Sequence, residues 1–167
     1  MGIKEKLTEM KNKITELNKI RLIVGVQNDE GTNHIRKKVK GSDKIGDESD
    51  LTFTDLAKVH EYGVPEIGIP ERQFIRSVQR SRTFQNNRKK EFDRFAKKYL
   101  ADEITIDNLT NDMGLFTVRQ IVQNMGVGTQ KLKDATLKNR KESISETPLV
   151  DTGALSLHVT YRRGDSN

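Results

Sequence analysis

Cysteine is absent from the 167-residue chain, which excludes disulfides, thiol catalysis and cysteine-ligated zinc. No run of about 18 apolar residues occurs, as a membrane-crossing helix would need. The N-terminus, MGIKEKLTEMKNK, lacks the apolar centre of a signal peptide. Lys6 stands where myristoylation would want Ser or Thr. The expectation is a soluble protein made in a cytoplasm. Apolar residues are also scarce: they make up 33% of the chain against 32% charged residues, where globular domains average roughly 45–50% and 25%.

So thin a core has a consequence. Too little apolar area is available to offset the entropy of ordering the backbone, so such a chain carries extended polar segments or completes its burial in an assembly. The length fits one domain spanning 1–167, and an oligomer is expected. Thirty Lys and Arg against 24 Asp and Glu leave a formal charge of +6, which asks for an acidic partner, either nucleic acid or an acidic protein surface.

What is present reads as alternating helix and strand patterns. Ile3, Leu7, Met10, Ile14 and Leu17 recur at steps of four and three, which predicts an amphipathic helix over 1–19; the spacing also suits a coiled-coil strand, but so few heptads more often mean a helix lying on a sheet or on a neighbouring subunit. IRLIVGVQ alternates, with Ile20, Leu22, Val24 and Val26 on one side, as a half-buried strand does. Residues 28–50 are charged and turn-forming, which predicts a long polar loop or a thin hairpin with 35–40 as its only plausible strand; structureless loops of that length are usually functional, which makes this one a contact candidate.

Thr52 or Thr54 can cap a short helix ending at Tyr62-Gly63. Val64-Pro65 and Ile69-Pro70 impose extended backbone before each proline. Pro70 can then open a long helix over about 71–101, with Glu71 near its positive end and a possible interruption at Asn86-Asn87. Arg72, Arg76 and Arg80 recur every fourth residue and form a basic stripe on it. Thr105 caps a helix over about 106–125 that is apolar on more than one face. Asp151 or Thr152 caps a helical turn, and Leu157, Val159 and Tyr161 alternate as a last strand. The expected class is α+β: a small antiparallel sheet packed with several helices, one of them long and basic, plus a long polar loop.

The chemistry-bearing candidates are few. His60-Glu61 invites a metallopeptidase reading, but two imidazoles on one helix face would need a second histidine at position 64, which is Val64. His34 and His158 lack ligand spacing to it. The glycines of GVGTQK lack the spacing of a phosphate loop, and Lys131 precedes Leu132. A pair of catalytic carboxylates remains open to a fold that brings two together. Arg72, Arg76, Arg80, Arg82, Arg88, Lys89 and Lys90 could form a phosphate-binding face; the plainer reading is a solvated helix face, or pairing between subunits with Asp47, Glu48 and Asp50.

Two segments together resemble a known family. LAKVHEYGVPEIGIPERQFIRS holds Ala57, His60, Glu61, Tyr62, Gly63, Pro70, Arg72, Phe74 and Ile75. ATLKNRKESISETPLVDTGALSLHVTYRR holds Pro148, Leu149, Asp151, Thr152, Gly153, Ala154 and Leu155, with 159–162 as strand. These resemble, in order and spacing, the signature segments of the neck, tail-completion or virion-morphogenesis proteins of long-tailed bacteriophages. There, Ala-x-x-His-Glu-Tyr/Phe-Gly runs through a proline turn into Arg-x-Phe-Leu/Ile, and Pro-Leu-x-Asp-Thr-Gly-x-Leu precedes a strand. The match covers about half the chain directly. The 28–50 loop and a final strand ending soon after Tyr161 depart from the family pattern.

The resemblance implies an α+β protomer without catalytic activity, cofactor or metal. It implies a ring of six copies, or of twelve, around the DNA channel between head and tail, built in the host bacterial cytoplasm. Its partners would be the head connector or head-closure proteins, the tail tube or tail terminator, and genomic DNA contacted without sequence preference, with no membrane and no small-molecule substrate. In this reading His60, Glu61, Tyr62, Gly63, Pro70, Arg72 and Phe74 form a stiff corner, with Asp151, Thr152 and Gly153 at the other signature, and Arg72 would pair with a carboxylate such as Asp151. The alternative is a basic nucleic-acid-binding protein acting through the 72–98 helix, and a weaker third is a hydrolase with an unrecognised carboxylate site.

Overall fold

A computed structural model describes residues 2–27, 52–125 and 154–164. Their elements are helix α1 (Ile3–Lys19), strand β1 (Leu22–Val26), helix α2 (Phe53–Tyr62), a 3-10 turn (Pro65–Ile67), helices α3 (Arg76–Arg80), α4 (Arg82–Leu100), α5 (Ile106–Asn124) and α6 (Ala154–Leu157), and strand β2 (Val159–Arg163). The class is α+β, with a two-stranded antiparallel sheet among the described residues. The 28–50 loop, its 35–40 strand, the Asp47–Asp50 acidic run, and Asp151, Thr152 and Gly153 all lie outside the described residues.

Local chemistry sets several element starts. The Thr52 hydroxyl accepts from the Asp55 amide at 3.2 Å while the Asp55 carboxylate accepts from the Thr52 amide at 3.3 Å, a reciprocal box that opens α2. Thr105 and Asn108 repeat the arrangement at α5, at 3.2 and 3.3 Å. Each box supplies acceptors to amides that the first helical turn leaves without partners.

The two strands pair with Val24 opposite Tyr161 and Val26 opposite Val159, so alternate side chains of both reach α5. Gly114, inside α5, makes this approach possible. A Cβ there would sit 2.3 Å from the Tyr161 ring, and the Tyr161 hydroxyl donates to the Asn111 side chain one turn back. The core divides into two clusters. Phe53, Ala57, Phe74, Val78, Phe84, Ile121, Met125, Leu155 and Val159 form the larger; Tyr99, Leu109 and Met113, joined by Leu17, Ile20 and Leu22, form the smaller.

The long helix expected over 71–101 is corrected to two helices with an irregular lead-in. Residues 71–73 stay outside any helix, and the Arg72 amide donates to the His60 carbonyl at 2.8 Å instead. The interruption falls at Ser81, not at Asn86-Asn87, which sit exposed inside α4. Ser81 has φ −67° and ψ 119°, ends α3, and its hydroxyl accepts from the Phe84 amide at 3.3 Å to start α4. Val78 before the bend and Phe84 after it are both buried. Apolar contact on each side of Ser81 therefore outweighs the hydrogen bonds a straight helix would gain.

Of the two placements expected for helix α1, on a sheet or on a neighbouring subunit, the first does not hold, because within the chain α1 meets mainly α4. Its body contacts come from Lys13, which donates to Asp102 at 2.5 Å, from Glu16, which accepts from the Tyr99 hydroxyl, and from Leu17. Ile3, Leu7, Met10 and Ile14 remain exposed.

Candidate functional site

The first signature segment folds into a corner between α2 and α3. Gly63 follows α2 with φ 71°. A Cβ at this position would lie 2.7 Å from the Glu71 amide nitrogen and 2.9 Å from the Ile69 carbonyl oxygen; both are backbone and have nowhere to go. Val64 and Ile69 then exchange backbone bonds of 2.8 and 3.0 Å across the 3-10 turn. Gly68 takes the left-handed conformation that closes it. The chain thus doubles back on the end of α2, bringing Pro70 and residues 71–76 beside it.

Glu61 joins the two sides. It is 5% exposed, and its carboxylate accepts from the Ile75 amide at 3.0 Å and the Arg76 amide at 2.9 Å. The carboxylate expected near this helix start was that of Glu71; the one that occupies it comes from α2. Arg76 completes the knot: its Nε donates to Glu61 at 3.1 Å and its Nη2 to the Glu61 carbonyl at 2.8 Å. It also pairs with Glu71, and its guanidinium carbon lies 4.4 Å from the centre of the Tyr62 ring. Burial alone would lower the Arg76 pKa, but its bonds to Glu61 and Glu71 and their charges outweigh that and hold it above the usual value. The cation is locked in place.

Around this knot the other signature residues have defined tasks. Arg72 Nη1 lies 2.8 Å from His60 Nδ1; a guanidinium has only donors, so Nδ1 accepts and the ring proton sits on Nε2. Phe74 is 1% exposed and anchors the corner in the larger core cluster. Tyr62, by contrast, is 61% exposed, and its ring serves Arg76 more than the core. Asp151, the carboxylate suggested for Arg72, lies outside the described residues.

Asn124, at the end of α5, was not among the sequence candidates. Its side-chain amide donates to the Phe74 carbonyl at 3.0 Å and to Ser77 Oγ at 2.6 Å, tying the corner to a helix 47 positions away. No local signal marks such a pairing, because side-chain bonds of this range depend on the packed fold.

The structure divides the basic array. Arg72 and Arg76 turn into the corner, and Arg80 donates to Gln73 at 3.3 Å. Arg82, Arg88, Lys89 and Lys90 stand exposed on α4, with Arg88 5.8 Å from the Phe84 ring centre. The bend at Ser81 breaks the every-fourth-residue spacing between the two groups. His158 stacks on Phe53 with ring centres 3.7 Å apart, and among the described residues no group of three or more His, Asp and Glu is placed to hold a metal. No described helix is long and apolar enough to cross a membrane.

Set beside known proteins, the chain matches no family model, no curated protein and no solved structure. The reading of its function therefore rests on the residues themselves.

Proposed function

We propose that the chain is a structural virion protein of a tailed bacteriophage, forming a homo-oligomeric ring at the head–tail junction that joins the tail tube to the head connector around the DNA channel. The observation that carries this reading is the use of Glu61. A catalytic carboxylate needs lone pairs turned toward a substrate, whereas Glu61 is buried and spends its own on two backbone amides and Arg76. The resemblance made this segment a stiff corner, and stiffness suits a subunit repeated around a closed ring, where small angular errors accumulate. The sparse apolar content and the exposed Tyr62 and Ile67 at the corner favour burial completed by neighbours. Native mass spectrometry and negative-stain microscopy test it: rings of six, or of twelve, are expected, and a monomer that stays single in the presence of phage connector and tail proteins would refute it.

A second reading is favoured by one observation, the exposed Arg82, Arg88, Lys89 and Lys90 on α4. Here the protein binds nucleic acid through phosphate contacts. Retention of duplex DNA should then fall steeply with salt, and reversing these four charges should abolish it.

A further inference from the structure

Helix α1 holds its apolar stripe away from the body of the molecule. Ile3 is 81% exposed, Leu7 58%, Met10 50% and Ile14 44%, while the turns facing the body use Lys13, Glu16 and Leu17. Written as a heptad, Leu7 and Ile14 fall at the first seam position and Ile3, Met10 and Leu17 at the second. The positions flanking this seam are then Lys4, Lys6, Lys11 and Lys13, with Asn18 near the end of the helix. Lys13 is engaged with Glu9 and Asp102 at 3.1 and 2.5 Å. Lys4, Lys6 and Lys11 are exposed beside the stripe.

Those flanks identify the occupant by its charge. Two copies of α1 laid together would set lysine against lysine in either orientation, since parallel pairing joins one flank to the other and antiparallel pairing joins each to itself. A membrane surface suits the face poorly as well. A helix lying in the interface wants a broad apolar face and a basic polar one, and here the apolar strip is narrow, with Glu5 and Glu9 on the polar side. We propose that the outward face of α1 docks an acidic amphipathic helix of a different protein, with aliphatic side chains in the seam and Asp or Glu along both flanks.

The test uses the full chain and synthetic three-heptad helices. One peptide has Leu in the seam and Glu at the flanks; its control has Lys at the flanks; vesicles of anionic phospholipid form a third arm. Fluorescence anisotropy should show the Glu-flanked peptide binding at least about tenfold tighter than its control, with the advantage shrinking as salt rises. Leu7→Asp with Met10→Asp should remove binding and leave the thermal midpoint unchanged, because both side chains are exposed. Lys4→Glu, Lys6→Glu and Lys11→Glu together should reverse the peptide preference. Equal binding of both peptides, binding of neither, a preference for vesicles, or loss of self-association in the Leu7→Asp, Met10→Asp variant would each overturn it, the last because a second copy would then be the occupant. Failure of a ring to form would leave this docking face intact, since copy number and peptide preference are read separately.

Discussion

Replacing Glu61 by alanine would leave two backbone amides and the Arg76 guanidinium facing a buried gap. Breaking such a pair from one side costs about 3 kcal/mol, so Glu61→Ala should lower stability by that order in urea denaturation, while Glu61→Gln, which keeps one acceptor, should cost less. Gly63→Ala should cost about 2–3 kcal/mol, because positive φ and contact with immovable backbone act together. Tyr99 allows a test by pH. The Glu16 carboxylate that accepts its proton, then burial, push its phenol from 10.0 up to about 12. A folded pKa above the unfolded one means the stabilisation is complete below about pH 10 and is lost as pH rises through the folded value. Stability should therefore fall between pH 10 and 12, and in Glu16→Gln ultraviolet titration should find the phenol ionising at lower pH.

Helix starts and helix contacts follow a different logic, one of caps and close approaches. Asp55 is held below the ordinary carboxylate range by the Thr52 hydroxyl first, then by Lys58 and the Thr52 amide. A depressed pKa contributes stability above the unfolded carboxylate value, and that contribution is lost as pH falls. Thr52→Ala removes the cap of α2 and should cost about 1 kcal/mol; separately, it should raise the Asp55 pKa in an NMR titration. In α5, Gly114→Ala should drive Tyr161 off the helix and loosen β2, at about 1–3 kcal/mol. Shrinking the ring in the same chain, with Tyr161→Ala, should relieve the clash, so the two losses should not add. These starts were legible because a cap and its partner lie three residues apart. The Ser81 bend was not: residues 76–100 are compatible with one helix, and the bend exists because Val78 and Phe84 meet the same core from two directions.

If the corner serves a ring, changes that soften it should reduce ring yield more than they reduce folding: Gly68→Ala, at a left-handed position with open space around it, should fold yet give fewer closed rings by negative-stain microscopy. Composition alone raised the expectation of neighbours or of extended polar segments, since a low apolar content can be counted without coordinates. The sites of that need could not be counted. Nothing in the spacing of Ile3, Leu7, Met10 and Ile14 says whether the stripe faces in or out; its direction follows from Lys13 and Glu16 finding Asp102 and Tyr99 on the body of the molecule.

The chain's order of residues, taken alone, determined the class, the Thr105 cap, the alternation of β1 and a corner of glycines and prolines, because each depends on contacts a few positions long or on a repeating period; Leu157, expected in the last strand, belongs instead to α6. The packed molecule decided that Glu61 caps a helix not its own, that Arg76 turns inward and away from any phosphate face, that Asn124 ties the corner down, and that α1 looks outward. Those outcomes hang on which distant surfaces meet, and a buried carboxylate or a flat tyrosine over a glycine acquires its meaning only when its neighbours, dozens of residues away, have been brought against it.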